Sequence, residues 1–470
     1  MDWLNNLVSD VNSVLWGVCC LIPLLCGTGL FYSFRLRFVQ VRKFGLALRL
    51  LFGGASLFGK RADKTGMSSF QALATAIAAQ VGTGNVAGTA TAIVSGGPGA
   101  LFWLWIAAFF GMATIFAEAV LAQTYKSKDA DGHTVGGPAY YITKGLGEKF
   151  RPMAIFFSIA IIVALGCIGN AVQSNSISMA MKTAFDIPVL ATGAVTAVLA
   201  GFIFFGGIGR LASVCEKIVP LMAAIYIVGG TFVIACHASE IIPAFGLIFE
   251  AAFNPQAAVG GALGLTVAKA MQFGVARGLF SNEAGMGSTP HAHAVAKVEH
   301  PAEQGLVAIF GVFATVVIVT FTGIVILVTG VLDYQTTGIE LTQHAYTAAF
   351  GSFGMAFVAI CLFFFAFSTI IGWYFFGEQN VRFLFKGRGM NVYRFIVCCF
   401  IVLGATLKVD LVWSLADLFN GLMVIPNLIA LLALNKVVVA SLDDFESKLA
   451  MHEKTQAALE KAALDSFFIV

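Results

Sequence analysis

The sequence predicts an all-α polytopic membrane protein with eleven transmembrane helices, ten of them forming two five-helix halves of opposite topology. Three observations carry this. The composition is 59% hydrophobic and only 11% charged, with a mean hydropathy of +0.88, whereas soluble domains are about one-quarter charged. Apolar runs recur from end to end, and each is long enough for a hydrocarbon core of roughly 30 Å, which takes about 20 helical residues. Two of these runs are interrupted by glycine and polar residues at corresponding places in the two halves, the sequence sign of an inverted repeat.

In chain order the spans read 11–34, 68–95, 99–125, 153–182, 188–207, 211–236, 261–290, 303–330, 353–380, 391–407 and 411–434. Short helices at 242–253 and 138–147 are expected along a membrane face. The first span is not a cleaved signal peptide, because its basic residues, from Arg35 to Lys64, follow the apolar run rather than precede it. Those positives orient the chain, since short cytoplasmic loops collect Lys and Arg. Segments 35–66 and 126–151, and the loops bearing Arg210, Lys297 and Arg382, fall inside. The N-terminus is then outside and the C-terminus inside. The tail from Asp443 to Ala463 reads as a soluble helix. The chain divides into 1–66, a first helix with a basic loop; 67–240 and 241–436, the two halves; and 437–470, the tail.

A net charge of +3 is too small to suggest nucleic acid. The nine cysteines lie mostly in apolar runs, with no C-x-x-C pair or zinc spacing, and read as packing residues.

The first interruption, AQVGTGNVAGTA at 79–90, contains Gly82-x-Gly84-x-x-Ala87 and so matches a dinucleotide fingerprint. That fingerprint needs a preceding strand and an acid about 20 residues later. Here a small-residue helix precedes it, and FWLWIA occupies 102–107. No Gly-Lys-Ser/Thr follows either, so a nucleotide site is excluded. Tight helix packing through small residues is a second reading. Two glycines one apart, followed by Asn85, instead suggest that the helix stops. Broken backbone at membrane depth is tolerated where it faces protein or a water-filled cavity. A break exposes N–H groups on one half-helix and carbonyls on the other, a site for an anionic group beside a cation. The second interruption is QFGVARGLFSNEAGMGS at 272–288, with Arg277, Asn282 and Glu283 at its middle. Counted from the second span, the breaks fall in the first and sixth of ten helices.

Four motifs resemble one family. GGPGALFWLWIAAFFG at 96–111, ARGLFSNEAGMGSTP at 276–290, VGTGNVAG at 81–88 and FAFSTIIGWYFFGE at 365–378 are similar to those of the alanine/glycine:cation symporters, also called sodium:alanine symporters. Leu104 replaces the usual Met between the two tryptophans. The resemblance runs from Trp16 to about Lys436. It implies a leucine-transporter-type fold: one peripheral N-terminal helix plus a 5+5 inverted-repeat core. It also implies sodium-driven import of small neutral amino acids, mainly alanine and glycine, in a bacterial-type cytoplasmic membrane. D-alanine, glutamine, serine and proton coupling stay open as alternatives within the family.

The resemblance implies a substrate floor at Gly82, Thr83, Gly84 and Asn85, whose amides would receive a carboxylate. Gln173 matches a substrate-reading position, against a role in interhelical hydrogen bonding. Asn175 is a further polar group for the cavity, and Cys167, six residues before Gln173, is a candidate on the same face. The fold it resembles takes sodium between two adjacent hydroxyls on the eighth core helix and carbonyls just before the first break. Here those are Ser368 and Thr369, with the carbonyls of Ala78 and Val81 and a further one from Phe365. Trp373, one turn beyond Thr369, is expected to cap the pocket or to pack. Phe273 and Phe280 flank the second break as substrate contacts, with Ser281 and Met286 weaker candidates.

Intramembrane charges are functional candidates by default. Arg277 and Glu283 are expected to pair with each other, or with other helix ends, in preference to transferring protons. Glu118 reads as a helix-end anchor. His291 and His293 read as solvated loop residues. A channel is disfavoured, because two dissimilar broken helices suit one asymmetric pocket. A membrane enzyme is disfavoured by the absence of H-E-x-x-H, G-x-S-x-G and clustered metal ligands.

Overall fold

The computed structural model describes residues 2–17, 20–52, 66–129, 132–254, 266–407 and 409–467. The predicted loop residues Lys60, Arg61 and Lys64, and the first part of the 261–290 span, lie outside them. The described chain is helical apart from a two-stranded antiparallel ladder, Ser127–Lys128 with Thr134–Val135, and an isolated bridge between Met67 and Ala296.

Among the described residues, six helices are long and apolar enough to cross a membrane: Ala100–Thr124, Glu148–Phe185, Gly207–Cys236, Pro301–Val328, Phe353–Phe385 and Val412–Ala433. Shorter apolar helices lie at Leu21–Arg35, Val189–Phe204 and Met390–Thr406. Two elements differ from this pattern. Helix Ser69–Gln80 opens with a capping box, Ser68 and Gln71 each bonding the other's backbone N–H. It stops at Val81, and the chain resumes as a π-helical turn, Gly84–Gly88, and a helix, Thr89–Gly96. Helix Val267–Asn282 ends where Glu283 takes a left-handed conformation, φ 57°. Positive-φ Gly285 and Gly287 then carry the chain to the short helix Pro290–Ala294. Glycine is needed there because a side chain is strained at such φ.

The structure corrects several boundaries. The predicted first span, 11–34, is two helices, Asp2–Leu15 and Leu21–Arg35. The polar run Asp10–Ser13 belongs to the first of these, where Asn12 donates to Ser414 O at 2.8 Å. A helix at Gly338–Phe350 lies in what reads as a loop. Its sequence is half polar, yet it buries Leu341, Ala345 and Tyr346. The short helix expected at 242–253 is Ile241–Phe253. The one expected at 138–147 is Pro138–Tyr141 followed by a π turn. The tail is helical from Asn435 to Phe467.

Glycines set the close approaches between helices. Gly29 packs against Phe110, where an added Cβ would stand 2.9 Å from that residue's Cβ. Gly372 does the same against Ala79, bringing the long helix Phe353–Phe385 alongside Ser69–Gln80. That approach builds the site.

Candidate functional site

Helix Ser69–Gln80 ends inside the protein, with every residue from Gln71 to Gly88 buried. Its last carbonyls therefore need partners. Ala78 O accepts from Thr369 Oγ1 at 2.9 Å and Ser368 Oγ at 3.3 Å. Both hydroxyls also bond Phe365 O one turn back, at 3.0 and 2.9 Å. Four of the five predicted cation ligands thus converge: Ala78, Phe365, Ser368 and Thr369. Val81, the fifth, is the buried residue at which the helix stops. Ser368 Oγ also lies 3.5 Å from Met222 Sδ.

Gly82 joins this oxygen cluster to the polar loop. A Cβ there would collide with Thr369 Oγ1 and stand 3.0 Å from Gln173 Oε1. In the loop, Gly82 N–H donates to Asn85 Oδ1 at 3.0 Å and Thr83 N–H to Gln173 Oε1 at 3.1 Å. Two of the four amides expected to receive a carboxylate are therefore held by side-chain carboxamide oxygens, and the Asn85 amide donates to Gly82 O at 3.1 Å. Asn85 Nδ2, Gln173 Nε2 and Thr83 Oγ1 are fully buried and have no protein partner. Buried polar groups are normally paired; here two unpaired groups on the loop and one on the facing helix Asn170–Phe185 lie beside the same two amides. Asn85 O accepts from Thr322 Oγ1 at 2.9 Å, and Tyr226 bonds Thr322 at 2.7 Å.

The second break closes the other side. Phe280 lies over Gly84, where a Cβ would stand 2.8 Å from its ring and 3.4 Å from its carbonyl oxygen. Ala284 N–H, which would continue the helical ladder to that carbonyl, donates to Asn282 Oδ1 at 3.0 Å instead. The Phe280 ring meets Trp373 edge-on at 5.6 Å and Trp413 at 5.0 Å. Trp373 Nε1 donates to Glu283 Oε1 at 2.6 Å, and Ser288 donates to the other oxygen.

Not every expected residue joins this group. Phe273 is half-buried two turns before Phe280, with its Cβ against Gly96. Cys167 is buried in a π-helical turn, Ile162–Gly169, which breaks the 3.6-residue register that would align it with Gln173. Asn175 donates to the Gly404 and Leu407 carbonyls at 2.9 Å each and also lines the polar cavity beside Arg277. Ser281 Oγ is buried and unpartnered, and Met286 is fully buried.

The charges differ most from expectation. Arg277 does not pair with Glu283; it forks onto Asp417, both oxygens at 2.8 Å, and lies over the Trp413 ring at 5.0 Å. This pair lines a cavity of about 430 Å³ with Thr91, Ser176, Glu340 and Trp413. Glu118 is not a helix-end anchor. It is fully buried and accepts from Gly285 N–H at 3.2 Å, Gly287 N–H at 2.9 Å and Asn427 Nδ2 at 2.7 Å. It caps the second break. His291 and His293 are buried, not solvated. His291 bonds Ser288 O at 2.6 Å and Asn380 at 2.8 Å, and His293 bonds Gln304 at 2.9 Å. Asp417 and Glu118 both carried a signal, as acids inside apolar runs; what escaped was their partners, far away in sequence.

The family described as "Sodium:alanine symporter family" matches residues 1–459. The chain is 43% identical over 455 residues to the sodium/alanine symporter AgcS of Methanococcus maripaludis, covering 95% of this chain and 98% of that one. It is 44% identical over 447 residues to the probable sodium/glutamine symporter GlnT of Bacillus subtilis, covering 94% and 91%. Among solved structures it is similar to MhsT in complex with L-phenylalanine, with a TM-score of 0.53 over 81% of this chain and 96% of that one. At 13% identity that likeness is one of fold.

Proposed function

Given that this chain belongs to the sodium:alanine symporter family, we propose that it imports a small neutral amino acid, alanine before glycine, together with sodium by alternating access. The observation that carries this is the convergence of the Ala78 and Phe365 carbonyls with the Ser368 and Thr369 hydroxyls beside Gly82. Carbonyls at a helix break are suited to Na⁺. Both hydroxyl protons now point at carbonyls; sodium would turn them away and draw the oxygens inward, with Val81 O completing the set.

The substrate is read next to the ion. Its carboxylate replaces the Asn85 and Gln173 carboxamide oxygens on the Gly82 and Thr83 amides. The released Phe280 carbonyl is suited to the ammonium. Phe280 and Trp373 limit side-chain volume, which favours alanine over larger residues. The glutamine relative keeps that substrate as the second reading.

The proposed architecture is eleven spans, with residues 1–66 peripheral, 67–240 and 241–436 as inverted five-helix halves, and 437–470 as a cytoplasmic tail. Supporting it, the two interrupted helices face each other through Gly84 and Phe280. The proposed location is a cytoplasmic membrane, N-terminus out. The cavity at Arg277–Asp417 then faces outward, and the Met67–Ala296 bridge closes the inside.

Radiolabelled alanine uptake into proteoliposomes tests this, with sodium or potassium outside. Uptake that requires sodium and disappears in the Ser368→Ala/Thr369→Ala double variant, with the fold intact, is expected. Alanine uptake indifferent to sodium would overturn the ion assignment in favour of protons.

A further inference from the structure

A second cavity, about 420 Å³, is lined among the described residues by apolar side chains. One wall is a stripe of the first broken helix: Phe70, Leu73, Ile77 and Val81. The other walls come from helices Gly207–Cys236 and Pro301–Val328. The space exists because the three helices meet in alanines, namely Ala74, Ala223 and Ala314. A void of this size forfeits the dispersion contacts of everything around it. Water does not compensate, since it needs polar partners.

We propose that this groove holds one acyl chain of an anionic phospholipid from the inner leaflet. Length supports this. From Phe70 to Val81 the helix rises roughly 16 Å at about 1.5 Å per residue, half of a roughly 30 Å hydrocarbon core. On the orientation proposed above, the groove starts at the cytoplasmic face and ends at mid-bilayer, the reach of a single leaflet. Access supports it too. Helix Gly207–Cys236 turns Leu221, Ile225 and Val228 outward beside the groove, 59%, 41% and 69% exposed.

The rim supplies the charge. Lys217 lies one turn before the lining residue Pro220, and Arg49 is on the short helix Phe44–Phe52 that brings Leu51 to the groove. Both side chains are exposed, while Glu216, next to Lys217, accepts from Gln71 Nε2 at 3.0 Å. Basic groups above a pocket between helices on that face are the recognition pattern for an anionic headgroup.

The inner end of the groove lies against the ion cluster. Val81 ends the helix whose Ala78 carbonyl belongs to that cluster, and Met222 of the groove wall lies 3.5 Å from Ser368 Oγ. An acyl chain there packs against both and holds Ser368 in place, so the bound lipid tightens sodium binding.

The test is native mass spectrometry of the purified full chain with phosphatidylglycerol or phosphatidylcholine of identical acyl chains. The expected result is at least fivefold preferential retention of one phosphatidylglycerol. Arg49→Gln/Lys217→Gln should abolish that preference, and Ala223→Phe, which fills the groove, should abolish retention of both lipids. If Ala223→Phe fails to fold, Ala314→Leu makes the same test. Equal retention of the two lipids by the unaltered chain, or unchanged retention after filling, overturns the proposal. A second readout is the sodium concentration giving half-maximal alanine uptake, expected to be at least twofold lower in phosphatidylglycerol liposomes; equal values overturn the link to the ion cluster. Retention is read without transport, so failure of the lipid site and failure of the symporter reading are separable.

Discussion

The Trp373 indole N–H donates to the Glu283 carboxylate at 2.6 Å, across 90 residues of sequence. It ties the ring that packs edge-on against Phe280 to the residue at which the second broken helix stops. Among the described residues, Glu283 makes no ion pair; Trp373 and Ser288 are its side-chain donors. Trp373→Phe keeps most of the ring and removes the donor. A hydrogen bond to a charged group contributes about 1.5–3 kcal/mol. We expect a stability loss of that order and at least a tenfold fall in uptake. A double-mutant cycle with Glu283→Gln should be strongly non-additive, measured by thermal unfolding in detergent; additive effects would show that the bond does not matter.

Gly82 and Gly84 should fail differently. A Cβ at Gly82 meets a hydroxyl fixed by Ala78 and Phe365, whereas one at Gly84 meets the edge of the Phe280 ring. Gly82→Ala is expected to raise the sodium requirement and abolish uptake. Gly84→Ala should leave the sodium dependence nearly unchanged and raise the alanine KM. Sodium activation curves at fixed alanine separate the two outcomes.

The fork between Arg277 and Asp417 is buried enough, at 10% and 20% side-chain exposure, for its loss to matter. Removing one partner of a buried pair costs roughly 3–5 kcal/mol. Arg277→Ala should approach the low end of that range. Arg277→Lys keeps the charge and loses the two-pronged geometry, so it should recover stability only in part. Differential scanning calorimetry orders the three proteins; equal stability of Lys and Arg would contradict the importance of the fork.

The tail helix docks through charge. Arg37 bonds Asp443 at 2.8 Å, Arg42 bonds Glu446 at 2.5 Å and His300 bonds Asp444 at 3.0 Å. Lys448 and then His300 hold the Asp444 carboxyl below the usual aspartate range. Lys448 is on the same helix as Asp444, so only the His300 share of that depression belongs to docking; it is present above the ordinary aspartate value and is lost as pH falls through the lowered value. Docking should therefore weaken in acid as the carboxylates protonate, and weaken at molar salt through screening. Hydrogen-exchange protection of residues 435–450 across pH and salt measures this. Protection indifferent to salt would mean that apolar contacts such as Phe445 with His300 carry the docking.

Much of the site was legible because its signals are local. Two adjacent hydroxyls in an aromatic run, and glycines one apart in a helix, violate what a membrane helix normally contains; their positions are visible without a partner. That Ser368 and Thr369 meet the Ala78 and Phe365 carbonyls is implied by the resemblance and not by those signals; in the structure both hydroxyls bond both carbonyls. Cys167 is placed by helical period, which a π turn at Ile162–Gly169 interrupts. Phe273 is placed by its position before the second break, and seven residues of helix separate it from Phe280, with its Cβ against Gly96.

The apolar runs, the breaks at Val81 and Glu283 and the hydroxyl pair were determined by the sequence itself, because each is a departure from helix chemistry within a few residues. Tertiary structure alone decided the partners. Arg277 meets Asp417 and not Glu283, Glu118 caps a break 167 residues away, and Gln173 covers the Thr83 amide. A buried charge or carbonyl must be satisfied by whichever group packing brings within about 3 Å. Chain distance carries no information about which group that is.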